Sequence, residues 1–256
     1  MQDYDMKEEG QEKELIEKPA VKWKALPALF IAALAIIGSQ IVGLFGVAAY
    51  ILLVDGVSFS TAIINAEEQL IYYFSSYLIA EVLAVTAVYL YVRNKGGSWL
   101  DLGFKSFNWL KAVGWIGAFT IGFLVLASVA VGIGEVLLPG VDFEQEQEIS
   151  FLAARDSLEM ILAFLALVVI APISEETIFR GFLLPAFTKS IGVIWAVIMT
   201  SALFGLLHPP IGAMIVISLF AVFLALAYIR LNSIWPAIIL HSGKNLVAFM
   251  LIFGVI

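Results

Sequence analysis

Apolar residues occur along the chain in long blocks, and seven of these approach or exceed the roughly 20 residues an α-helix needs to cross a bilayer. The blocks run approximately from Leu26 to Val54, Leu70 to Val92, Ala112 to Leu138, Leu158 to Phe187, Ile191 to Leu207, Ile211 to Ile229 and Ile234 to Ile256. The pattern predicts an all-α, polytopic transmembrane helix bundle of about seven spans. A mixed-charge cytoplasmic tail over residues 1–25 is expected to precede a transmembrane domain over 26–256.

Composition agrees with this reading. Hydrophobic residues make up 62% of the 256 positions and charged ones 14%, where a soluble domain is about half apolar and about a quarter charged. The net charge of -7 comes largely from the segment before Glu17 and from Asp142, Glu144, Glu146 and Glu148. It therefore describes loops and leaves no basic surface for nucleic acid. The chain has no cysteine, which excludes disulfides, thiolate metal sites and cysteine-protease chemistry. The tail lacks the apolar core of a cleavable signal peptide.

Lysine and arginine placement orients the spans, because positive residues are retained on the cytoplasmic side. Lys7, Lys13, Lys18, Lys22 and Lys24 precede the first span, and Arg93, Lys95, Lys105 and Lys111 lie between the second and third. The loop from Asp55 to Gln69 has neither residue type, and the loop from Pro139 to Ser157 has only Arg155. An amino terminus inside and a carboxyl terminus outside follow from seven crossings.

Ionisable groups in hydrocarbon are costly and point to function. Both histidines of the chain, His208 and His241, are read as lying inside apolar stretches long enough to cross a bilayer, and the adjacent Glu175 and Glu176 as lying in a third. A fourth helix ending at Pro172 would leave Glu175 and His208 at opposite surfaces. One that continues to about Phe187 puts Glu175 on the order of 20 Å from the inner turn, and His208 about 26 Å, at 1.5 Å per residue. His241 and Asn245 reach roughly 10 to 18 Å from theirs, and tilt brings all four toward mid-membrane.

Helical spacing divides their roles. Glu176 and Arg180 form an i, i+4 pair, while Glu175 points elsewhere and is free to face a cavity. A carboxylate without a partner in low dielectric suits a group that takes up and returns a proton. His241 and Asn245 share one helix face and can donate to a developing oxyanion. His208, one turn after Phe204, can help Glu175 hold a water. Each residue alone also fits a purely structural interhelical bond. Glu81 is read as structural, a partner for Lys244, and the ladder Gly114, Ala118, Gly122 as a helix-packing seam. Pro209 and Pro210 end the fifth helix.

Three ordered stretches, Glu175-Glu176-Thr177-Ile178-Phe179-Arg180-Gly181, Phe204-Gly205-Leu206-Leu207-His208 and His241-Ser242-Gly243-Lys244-Asn245, resemble the motifs of the CPBP family, the type II CAAX prenyl proteases and bacteriocin-processing enzymes. The likeness covers about 158–256. It implies an intramembrane endopeptidase acting on membrane-associated proteins or peptides, prenylated CAAX-type ones among them. Glu175 and His208 would activate water, Glu176 and Arg180 support them, and His241 and Asn245 stabilise the oxyanion. Lys244 is not a position the motif defines.

Two mechanisms follow. Glu175, His208 and His241 offer the one oxygen and two nitrogens of a catalytic zinc site. The chain lacks the His-Glu-x-x-His signature, and zinc on Glu175 would leave Glu176, already paired, as the nearby base, so metal-free activation by glutamate is favoured. Two other function classes stay open. A secondary transporter would show an internal repeat, and none is found. A non-catalytic regulatory or bacteriocin-immunity partner would not need every motif position filled. The expected location is a prokaryotic cell membrane, and the expected partners are the lipid bilayer and a membrane-associated peptide substrate.

Overall fold

The computed structural model describes residues 21–143, 145, 147 and 150–254. The first 20 residues of the expected tail, Glu144, Glu146, Glu148 and the last two residues of the seventh block lie outside the described residues. Among the described residues eight helices carry the fold: α1 (Ala25–Asp55), α2 (Phe59–Glu68), α3 (Leu70–Asn94), α4 (Trp109–Leu137), α5 (Ser157–Ile191), α6 (Val193–Leu206), α7 (Ile211–Leu231) and α8 (Trp235–Ile252). Six of them are long and apolar enough to cross a membrane, and α6 is a shorter apolar helix. Leu26, Leu110 and Val136, each at least 78% exposed, show the outward faces to be apolar, as lipid contact requires. The chain is an integral, multi-pass membrane protein.

The seven apolar blocks correspond to α1 and α3–α8. The eighth helix, α2, lies in the loop between α1 and α3, where the Ser58 hydroxyl caps it by accepting from Thr61 N–H at 3.2 Å. Asn108 caps α4 and Asp156 caps α5 in the same way, with Oδ1 accepting from Lys111 N–H at 3.0 Å and from Glu159 N–H at 2.8 Å. Glu159 in turn accepts from the N–H of Arg155, close to a capping box.

Small residues set how closely α1 and α3 approach. Ala28, Ala32, Ala35, Ser39, Gly43 and Val47 on α1 and Ser76, Ala80, Ala84, Val88 and Val92 on α3 are buried at helical spacing. A side chain at Gly43 would run into the Ser76 carbonyl and lie 3.3 Å from Ala80 Cβ. The predicted ladder on α4 does not work this way. Only Gly122 meets a neighbour, the Phe223 ring at 3.0 Å, whereas Gly114 faces open space. Instead α4 packs on α7 through the Phe119, Phe123, Phe220 and Phe223 rings.

Helix α5 is the centre of the bundle, touching α1, α3, α6, α7 and α8. As the depth argument required, it continues through Pro172 to Ile191. Two of its stretches, Leu165–Ile170 and Thr177–Leu183, wind as π-helix. Such turns leave backbone carbonyls for side chains to satisfy. Asn245 Nδ2 donates to Leu167 O at 2.8 Å and Trp23 Nε1 donates to Phe182 O at 3.0 Å. The end of the predicted tail is therefore packed: Val21 and Trp23 are buried, and Lys189 Nζ donates to Val21 O at 2.6 Å. A tight turn at Gly192, whose φ of 83° favours glycine, sends α6 back antiparallel to α5.

The segment from Gly97 to Phe107 is folded in beneath the bundle. Gly181 has the Leu102 carbonyl 2.5 Å from where a Cβ would stand. Gly103 O accepts from Ile234 N–H at 2.8 Å, and Lys105 O accepts from the Ser233 hydroxyl at 2.7 Å. Helix α8 thus starts level with Gly181, about 15 Å in from Ile191, and the seven further residues to His241 add roughly 10 Å. Glu175 lies about 24 Å from Ile191 on the same rise, and His208 about 22 Å from Val193. The three groups meet at one depth because α8 starts raised.

Candidate functional site

Glu175, His208, His241 and Asn245 line one cavity of about 590 Å³, walled by α3, α4, α5, α7 and α8 and rimmed by Phe143, Gln145 and Gln147. Glu176 and Arg180 stand behind its wall, 0% and 2% exposed. All six residues singled out in the sequence are brought together.

The supporting layer starts from Arg180. Its Nη1 donates to Glu176 Oε1 at 2.9 Å and its Nη2 to Ala221 O on α7 at 3.1 Å. The guanidinium also lies over the Phe204 ring, with Cζ 4.5 Å from its centroid. Glu176 Oε1 faces His241 Nδ1 at 3.0 Å. An anionic acceptor on Nδ1 places the ring proton there and fixes the imidazole, so Nε2 is the nitrogen turned toward the reacting side.

That Nε2 lies 3.8 Å from Glu175 Oε2. The expected division of the two glutamates is altered here: His241 bridges them, so Glu175 is not as separate from the Glu176 network as their angular offset implied. The carboxyl of Glu175 is 28% exposed, through the cavity, and Oε2 has no hydrogen-bond partner among the described residues. Oε2 is itself buried, as is the equally unpartnered Oε2 of Glu176, and of the two carboxylates it is Glu175 that lines the cavity.

His208 lies just past the end of α6, in the turn that leads to Pro209 and Pro210, rather than inside a helix. Its own N–H donates to Gly205 O at 2.9 Å, and Nδ1 pairs with Phe204 O at 2.8 Å, leaving Nε2 for the cavity. Phe204 is 1% exposed and holds the centre, 4.8 Å from the His208 ring and 5.8 Å from the His241 ring. Gly205 is needed beside it: a Cβ would collide with Ser218 Oγ and Met214 O and stand 2.9 Å from Ser218 N on α7.

One residue has a second task and one expectation is corrected. Asn245 uses one amide N–H to bind Leu167 O, so it anchors α8 to α5, and one N–H of its carboxamide remains for other work. Glu81 is not the partner of Lys244. It accepts from Gln40 Nε2 at 3.3 Å, while Lys244 lines the cavity. Sequence reasoning missed the carbonyls of Leu167 and Ala221, the Phe220 ring 5.9 Å from His241, and the wall residues Tyr73 and Tyr77. None of these carries a signal beyond being apolar or backbone, although the glycines inside two motifs hinted at close backbone approach.

Among the described residues no group of three His, Asp or Glu side chains is gathered to hold a metal ion, while His241 and His208 each bond Nδ1 elsewhere, to Glu176 and to the Phe204 carbonyl.

Comparison with curated proteins and with solved structures returns no match. A family profile does match: residues 157–247 fit the family described as Type II CAAX prenyl endopeptidase Rce1-like. That segment contains all three motifs and every glutamate, arginine and histidine of the constellation. The chain is thus a multi-pass membrane protein whose residues 157–247 are similar to the Type II CAAX prenyl endopeptidase Rce1-like family.

Proposed function

We propose that this protein is an intramembrane endopeptidase that hydrolyses peptide bonds of membrane-associated proteins or peptides, with Glu175 activating the water and without a metal. The observation that carries the reading is the partly exposed carboxyl of Glu175, lining a cavity that His208, His241 and Asn245 also line.

Glu175 accepts a proton from a water that His208 Nε2 helps to hold, and the oxygen attacks the scissile carbonyl. Charge develops on the carbonyl oxygen. His241, held through Nδ1 by Glu176 and in turn by Arg180, donates from Nε2 to that oxygen when its ring carries both protons, and the second N–H of Asn245 is the other donor. Glu175 then returns its proton to the leaving amine as the C–N bond breaks. Fixed donors in a water-poor cavity need little reorganisation, which is where most of the rate enhancement arises.

Positive residues before α1 and between α3 and α4 orient the amino terminus to the cytoplasm, so the cavity rim formed by Phe143, Gln145 and Gln147 lies on the outer side. The substrate is expected in the membrane of the producing cell. Quantitative peptidomics of membranes from cells carrying wild type or Glu175→Gln identifies it. Accumulation of one or a few uncut precursors in the variant is the expected result, and identical peptide profiles would count against proteolysis.

A further inference from the structure

Lys244 is the charged group of the cavity that the scheme above leaves idle. It stands three residues beyond His241, about 4.5 Å further along α8, and is exposed to the same cavity as Glu175 and His208. Among the described residues it makes no hydrogen bond and no ion pair. The same cavity is also lined by the neutral amides of Gln145 and Gln147 and by the apolar side chains of Phe143 and Ile252.

An ammonium held among apolar walls is costly unless it is paired. Glu175 cannot serve as its permanent counterion and also cycle through a protonated state during each turnover. Glu81, a second carboxylate of the membrane region, is bonded to Gln40. The positive charge therefore stands without a counterion in the cavity that Glu175, His208 and His241 also line.

We propose, building on the hydrolase reading, that Lys244 is a specificity residue that binds a carboxylate of the substrate. An extended peptide rises about 3.3 Å per residue, so the helical offset from His241, together with the length of the lysine side chain, sets that carboxylate within about three residues of the scissile bond. A chain-terminal carboxylate and an Asp or Glu side chain share this chemistry, and the substrate is in either case a peptide with an anionic group close to the cut. A charge-assisted contact in a cavity of this kind discriminates by about tenfold or more.

The test uses full-length protein in detergent and a pool of N-acylated apolar octapeptides. These are made as the free acid, as the C-terminal amide, and as the amide with one glutamate near the carboxyl end. Binding is measured on Glu175→Gln, which does not turn the peptides over. The free acid is expected to bind at least about tenfold more tightly than the plain amide. The preference should fall to within about threefold when Lys244→Met is added, and survive with Lys244→Arg. Equal binding of the glutamate-bearing amide and the acid assigns the anion to a side chain, and weaker binding assigns it to the chain terminus. Acid and amide binding alike, no binding of any peptide, a preference that survives Lys244→Met, or one lost in Lys244→Arg would each overturn the proposal. Cleavage of the same peptides by wild type scores the hydrolase reading separately: cleavage without charge preference keeps the protease and removes the anchor, and preference without cleavage does the reverse.

Discussion

Replacing Arg180 by alanine tests how the catalytic layer is held. The side chain is 2% exposed and does three things: it pairs with Glu176 at 2.9 Å, donates to Ala221 O at 3.1 Å and covers the Phe204 ring. Its loss leaves Glu176 as a buried carboxylate with His241 as its remaining partner, and unties α5 from α7. Breaking a buried pair by removing one member costs about 3 to 5 kcal/mol. For a chain of this size about 2 to 4 °C of melting temperature goes with each kcal/mol, so a drop of about 6 to 20 °C is expected in detergent. Proteolytic activity should fall with it, because Glu176 no longer holds the His241 ring. Arg180→Lys should be intermediate, since one ammonium cannot supply both planar contacts. A fully stable but inactive Arg180→Ala protein would refute the structural role and place the guanidinium in substrate binding.

Further outcomes follow from individual contacts. His241→Ala and Asn245→Ala should each lower kcat by about 10²- to 10³-fold with little change in KM, the usual loss for one oxyanion donor. Asn245→Ala should also show reduced thermal stability from losing Leu167 O, and unchanged turnover in either variant would remove that residue from the oxyanion site. Gly205→Ala pushes a methyl into the backbone of α7 and should cost about 1 to 3 kcal/mol by thermal or denaturant unfolding, whereas Gly114→Ala, with open space around it, should leave the melting curve unchanged. Purified active protein is expected to contain no stoichiometric zinc by elemental analysis, with o-phenanthroline inhibiting no more than its non-chelating isomer. One equivalent of zinc that is lost with His241→Ala and restores activity when re-added would make Glu175, His208 and His241 ligands.

The spans and the meeting of the six residues could be read from the sequence because both rest on strong, additive signals. Apolar length is demanded by the bilayer, and a 3.6-residue repeat relates Glu176 to Arg180 wherever the helix stays regular. The requirement that Glu175 and His208 share a depth was enough to extend α5 past Pro172. What could not be read depends on contacts between distant segments. The π-helical turns that expose Leu167 O and Phe182 O have no local composition signal, so the tasks of Asn245 and Trp23 stayed hidden. The raised start of α8 depends on Gly103 and Lys105 reaching Ile234 and Ser233 across about 130 positions of chain, a fact of tertiary packing alone. Helix α2 was overlooked because a ten-residue segment too short to cross a bilayer reads as loop when only spans are sought.

The central claim is that Glu175 drives hydrolysis by water inside the membrane, and its most direct test is single-bond cleavage in ¹⁸O-labelled water. Wild type and Glu175→Gln, reconstituted in liposomes with a membrane peptide that accumulates in the variant cells, are compared by mass spectrometry of the new carboxyl terminus. The account predicts one labelled oxygen in the wild-type product and a rate at least about 100-fold lower for Glu175→Gln, with both proteins equally folded. Labelled product formed by Glu175→Gln at a near wild-type rate, or no cleavage by wild type, would contradict it.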